Sequence, residues 1–263
     1  MAVSRSPFVD RADAGRELAR ALNRFVGTPT LAVLALPRGG VPVAFEVARA
    51  LRAPLDVFVV RKLGVPSHEE LAMGAVASGG VWVINRDVVD TLRIPRERIE
   101  QAARAELAEI GPREAAYRDG RPPISVRGKT VILVDDGLAT GSTMRAAVAA
   151  VRRESPEKIV VAVPTSSRDT CAEMRAEADE VVCAMTPEPF VAVGLWYRDF
   201  SQTTDGEVRE LLARAASEIP RTECEPEGAP PPGQGGGSGA RDARESGGAT
   251  PNAGPGRDSV SGR

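Results

Sequence analysis

The chain has 263 residues, 42% hydrophobic and 27% charged, and its 34 basic and 36 acidic side chains nearly cancel to a net charge of −2. No run approaches 18 consecutive apolar residues, so no membrane span is expected; the near-balanced charge leaves room for a local basic patch but not for a broad nucleic-acid surface. Met1 to Asp10 lacks the apolar core of a secretory signal, and a single histidine, His68, excludes any site that needs two.

In chain order, Asp10 to Phe25 reads as an amphipathic helix, with Leu18, Ala21, Leu22 and Phe25 on one face and Asp10 as N-cap. Thr30 to Leu36 is a short strand-type run, followed by Pro37-Arg38-Gly39-Gly40 and a helix from Val41 to Leu51. Leu55 to Val60 reads as a second strand ending at Arg61-Lys62. Ala72 to Ala77 and Val81 to Ile84 flank Ser78-Gly79-Gly80 as a β-hairpin. Pro95 to Ile110 is a charged helix that Gly111-Pro112 is expected to break or kink.

Thr130 to Val134 is the most apolar strand, and a helix follows its loop to about Arg153. The alternation continues with a strand at Ile159 to Val163, a helix from Arg168 to about Ala178 and a strand at Glu180 to Ala184. A last helix covers Asp205 to about Ser217. This order predicts an α/β fold, a mostly parallel twisted sheet with helices on both faces. Ligands bind such sheets beyond the carboxyl ends of the strands, where the loops after Leu36, Val60 and Val134 are expected.

The cysteines, Cys171, Cys183 and Cys224, are odd in number and form no Cys-x-x-Cys pair. They read as reduced thiols of a cytoplasmic protein. From Pro220 to Arg263, eleven glycines and seven prolines among 44 residues leave Val260 as the one large aliphatic side chain. Too little apolar surface is present there to offset ordering entropy, so a disordered tail is expected after a domain spanning 1–219.

The most informative segment is Val131 to Thr143: four aliphatic residues, two acids, then a small-residue loop rich in hydroxyls. Gly137 and Gly141 allow tight turns, and Thr140, Ser142 and Thr143 with the next helix's free N–H groups form a phosphate cradle. Asp135 and Asp136 sit just before it and suit sugar hydroxyls or a cation. A Walker A loop is excluded by the missing lysine, and Gly-x-Gly-x-x-Gly is absent.

This run resembles the phosphoribosyl-pyrophosphate signature of the type I phosphoribosyltransferases. The resemblance implies that Asp135 and Asp136 bind the ribose hydroxyls, and that Ala139, Thr140, Gly141, Ser142 and Thr143 bind the 5-phosphate. Ala139 stands where the 6-oxopurine enzymes carry aspartate, so the loop is more similar to those of adenine and orotate enzymes. Leu36 to Ala44 resembles the family's pyrophosphate loop, with Arg38, Gly39 and Gly40 as contacts and a strained or cis peptide often present. Lys62 is placed by the resemblance as a further pyrophosphate contact. A small hood is implied within about 64–120. Trp196 and Tyr197, from an aromatic cluster with Phe190 and Phe200, are candidates to stack on a nucleobase; the same cluster also reads as core.

The resemblance implies a transfer of the phosphoribosyl group to a nitrogenous base with release of pyrophosphate. Mg²⁺ is the implied cofactor, with Asp135 and Asp136 as candidates to hold it directly or through water. It also implies a homodimer, and neither nucleic acid nor membrane as partner. The alternative is a module that binds phosphoribosyl pyrophosphate or a nucleotide without turnover.

Overall fold

A computed structural model describes residues 6–65 and 68–219. The expected tail lies outside the described residues. Helix α1 (Arg11–Ala21) is capped by Asp10, whose side chain accepts from the Asp13 N–H at 2.7 Å. A 3₁₀ turn at Asn23–Phe25 leads to β1 (Leu31–Ala35), α2 (Gly40–Leu51) and β2 (Leu55–Val57). After an interval described below come β6 (Thr130–Val134), α5 (Ser142–Arg153), β7 (Lys158–Thr165), α6 (Arg168–Met174), β8 (Glu180–Met185) and α7 (Asp205–Glu218).

Five of these strands pair in parallel in the order β2-β1-β6-β7-β8. Parallel strands are covered on both faces, which is why Thr130–Val134 and Leu31–Ala35 are buried at every position. Val33, Ala35, Ile132, Val134, Val160 and Ala162 face α1, α2 and α7. Leu34, Val131, Leu133, Ile159, Val161 and Val163 face the opposite layer with α5 and α6. The expected fold class is therefore correct. The chain runs from β1 outward to β2, then returns to place β6 on the other side of β1. That reversal opens a crevice beyond the ends of β1 and β6.

Between β2 and β6 lie β3 (Val60–Val65), β4 (His68–Ala77), β5 (Val81–Ile84), α3 (Arg86–Thr91) and α4 (Arg96–Arg118). The predicted hairpin is present, with Ala77 opposite Val81. Two expectations are corrected here. The run Leu55 to Val60 is not one strand. It leaves the main sheet after Val57, and Val60–Val65 pairs antiparallel with β4 in a separate three-stranded sheet. Phe58 packs in the core beneath α5 and Val59 in the small sheet's own core, so continuous hydrophobicity conceals the change of sheet. Lys62 consequently sits inside β3, opposite Ala75, and not at a strand end of the main sheet.

Helix α4 runs unbroken through Gly111-Pro112 to Arg118. The hydrogen bond lost at Pro112 is offset by burial of Ile110 and Tyr117 on either side, and by Arg118 clamping Asp56 at 2.9 Å. The cysteine reading is corrected as well. Cys171 on α6 and Cys183 on β8 are joined in a disulfide, because packing of α6 against the sheet brings together positions 12 apart in sequence.

Candidate active site

The loops after β1 and β6 meet at the crevice. An added Cβ on Gly40 would lie 2.8 Å from the Val134 carbonyl oxygen and 3.0 Å from Asp135 Cα. Only glycine lets the first turn of α2 approach the end of β6 this closely. Leu36 N–H donates to Val134 O at 2.9 Å and extends the pairing to the loop. The Pro37–Arg38 peptide is cis. The Gly40 N–H is used on Leu36 O at 3.1 Å, so the amide this loop offers a ligand is that of Gly39. Arg38 is partly exposed, with Nη1 4.0 Å from Asp205 Oδ1. Asp205 also accepts from Tyr117 Oη at 2.5 Å, which ties α4 and α7 to the arginine.

Asp135 and Asp136 are half-buried at the end of β6. Asp135 Oδ1 accepts from the Asp136 N–H at 2.8 Å. Burial raises the Asp135 carboxyl well above its ordinary value, and the charge on Asp136 adds to this. Burial also raises Asp136, opposed by the adjacent Arg11 guanidinium. Arg11 Nε donates to Asp136 Oδ2 at 2.9 Å, and the Asp136 carbonyl accepts from Tyr197 Oη at 2.6 Å.

The segment Ala139 to Thr143 opens onto α5. Thr170 Oγ1 donates to Ala139 O at 3.1 Å, and Arg145 Nη1 to Thr140 O at 2.9 Å. Both carbonyls are thus tied back. In trans peptides the N–H groups of Thr140 and Gly141 point the opposite way. Gly141, at φ +71°, turns the chain into α5, with Met174 Cε 3.0 Å from where a Cβ would stand. Ala139 and Thr140 are exposed, and Ser142 and Thr143 are half-buried. Amides, hydroxyls and a helix N-terminus thus lie together in a partly exposed loop, a chemistry suited to an anion.

Two expected site residues are placed elsewhere. Lys62 shares a cavity of about 230 Å³ with Asn85, Ser142 and Arg145, between the small sheet and α5, on the Ser142 side of the site. Tyr197 is buried, its ring between Phe8 and Phe200 with centroids at 5.5 and 5.0 Å. Its buried ring and its hydrogen bond to the Asp136 carbonyl support the Asp136 backbone. Trp196 is half-buried against that cluster. Arg11, Asp205, Thr170 and Arg145 were not picked out from sequence. Nothing in the sequence sets Arg11 apart: α3, α4 and α6 also begin with arginine, and Arg96 pairs with Glu100 inside its own helix.

Mg²⁺ keeps several waters and takes one or two carboxylates plus substrate phosphates. Adjacent, half-buried Asp135 and Asp136 fit that donor set. Among the described residues no group of three or more His, Cys, Asp or Glu would hold a metal alone.

Residues 9–195 match the phosphoribosyl transferase domain family. The chain belongs to this family. It is 49% identical over 208 residues to the Mycobacterium tuberculosis protein named "Putative phosphoribosyl transferase", covering 79% of this chain and 47% of that one. The chain therefore spans about half the length of those relatives. The crystal structure of TT1426 from Thermus thermophilus superposes with a TM-score of 0.70 at 42% identity, covering 80% of this chain and 99% of that one. The "Bifunctional protein PyrR" of Brevibacillus brevis is 28% identical over 123 residues, 44% of this chain and 67% of that protein. The phosphoribosyl transferase match takes in α1 with Arg11, both crevice loops and the small sheet, and ends just before Trp196. Among the described residues, no helix is long and apolar enough to cross a membrane.

Proposed function

We propose that the chain transfers the phosphoribosyl group of phosphoribosyl pyrophosphate to a nitrogenous base and releases pyrophosphate. One observation carries this reading: the twin carboxylates of Asp135-Asp136 stand against Gly39-Gly40, beside an open hydroxyl- and amide-lined loop, at the sheet's reversal point. A sugar between two anionic groups needs those three surfaces together.

In this reading Ala139 to Thr143 hold the 5-phosphate, with Lys62 adding positive charge on the Ser142 side. Asp135 and Asp136 accept from the ribose hydroxyls. Arg38 and the Gly39 N–H hold the pyrophosphate. The acceptor nitrogen forms a bond to the anomeric carbon as the carbon–oxygen bond to pyrophosphate breaks, and the leaving group takes the electron pair. Positive charge grows on the sugar ring, and the carboxylates beside it stabilise that charge. A well-placed group of this kind is worth about 3 kcal/mol. Mg²⁺, when bound by Asp135 and Asp136 together with substrate oxygens, neutralises charge on the pyrophosphate. Ala139 leaves no carboxylate to meet the base at that position, which favours adenine- or orotate-type acceptors.

The test is pyrophosphate release from phosphoribosyl pyrophosphate with Mg²⁺, across a panel of nitrogenous bases. Release that depends on one class of base supports the reading. Tight binding with no turnover on any base replaces it with the non-catalytic binding module.

A further inference from the structure

We propose that Arg11 is a positioning residue, which holds one oxygen of the Asp136 carboxylate so that the other is presented to the sugar. This rests on the sugar-phosphate reading of the site. Arg11 is the first residue of α1 and lies 125 positions from its partner. Its guanidinium is held at three points. Nε donates to Asp136 Oδ2 at 2.9 Å, Nη1 donates to Ser201 O at 2.6 Å, and Cζ lies over the Phe200 ring, 4.1 Å from its centroid. The side chain is 12% exposed, and that of Asp136 17%.

The same Oδ2 fills the space above Gly39, where a Cβ would lie 3.3 Å from Arg11 Nε. Oδ2 is therefore enclosed by α1 and the β1–α2 loop. No other residue among those described donates a hydrogen bond to Oδ1. The last torsion of an aspartate is broad, so a free carboxylate turns easily. Fixing one oxygen fixes the plane of the group and the direction of the other. Small errors in such placement are costly: about 1 Å is worth roughly a hundredfold in rate. The clamp itself is held by Ser201 and Phe200, so the segment after the 3₁₀ turn at Val193–Trp196 reaches the site through Arg11.

Arg11 acts on the sugar end alone, and this separates positioning from general support of the fold. The experiment measures binding of ribose 5-phosphate and of inorganic phosphate to the full chain, as wild type, Arg11→Gln and Arg11→Lys, with melting temperatures alongside. Arg11→Gln is expected to weaken ribose 5-phosphate about tenfold or more while inorganic phosphate stays within about twofold. Arg11→Lys, which keeps the charge and loses the planar fork, is expected to fall between. If Arg11→Gln does not fold, Arg11→Lys carries the same two-ligand comparison. Unchanged ribose 5-phosphate affinity, or equal loss for both ligands, overturns the proposal for Arg11 alone. Failure of the wild type to bind ribose 5-phosphate overturns the sugar-phosphate reading and the proposal with it.

Discussion

The Asp136 carboxylate occupies the space a side chain at Gly39 would need. A Cβ on Gly39 would lie 2.8 Å from Asp136 Cγ and closer still to Oδ2. Gly39 has φ −60° and ψ −32°, which any residue adopts, so the requirement for glycine is one of space alone. Gly39→Ala is expected to displace the carboxylate and the guanidinium bound to it. Overpacking of this kind costs about 1–3 kcal/mol. Denaturant unfolding reads that loss, and ribose 5-phosphate titration reads the accompanying fall in affinity.

Tyr197 supports the site from behind through a single atom. Tyr197→Phe keeps the packing against Phe8 and Phe200 and removes the hydroxyl from the Asp136 carbonyl. A half-buried acceptor left without its donor costs about 1–3 kcal/mol, to be measured by urea unfolding. A loss of stacking on a base would appear instead as an affinity change confined to the acceptor.

Much of the site could be read directly from the chain, because it lies in two short segments. Asp135 to Thr143 combines an acidic pair with a Gly-Ser-Thr turn directly after the most apolar strand. Gly39 and Gly40 were legible for the same reason. Arg11 was not, since its partner lies 125 positions away in the loop after β6. Tyr197 reads equally as core or as stacking surface, and burial decides it. The unbroken course of α4 through Pro112 reflects tertiary packing of Ile110 and Tyr117, which overrides local propensity. Lys62 was misplaced because Val57 to Val60 is apolar throughout, so nothing in that stretch marks where one sheet ends and the next begins.

The Cys171–Cys183 disulfide ties α6 to the edge of the sheet, and α6 carries Thr170, which holds Ala139. Reduction with dithiothreitol is expected to lower stability by about 2–4 kcal/mol, the usual worth of such a cross-link. Melting with and without reductant checks this, with thiol alkylation and mass measurement to confirm the bond. An unchanged melting temperature after complete reduction contradicts it.

Acidity is expected to act on stability and binding with opposite signs. Burial raises Asp135 and Asp136 above their ordinary values, and Asp135 further through its neighbour's charge. The folded protein without ligand therefore holds protons that the unfolded chain releases. The stability this gives is complete below the unfolded carboxylate range and is lost as pH rises through the raised folded values. Ionised carboxylates are the better acceptors for ribose hydroxyls, so affinity rises over that same window. The pair titrates together. The check is melting temperature against pH for wild type minus Asp135→Asn/Asp136→Asn, with ribose 5-phosphate titrations at the same pH values.

The most direct test is calorimetric titration of phosphoribosyl pyrophosphate with Mg²⁺ into wild type and into Asp135→Asn/Asp136→Asn. Hydrogen bonds to charged groups contribute about 1.5–3 kcal/mol each, so loss of both is expected to weaken binding about a hundredfold or more. Saturable binding by the wild type with that loss in the variant is the predicted result. Equal affinity in the two proteins would contradict it.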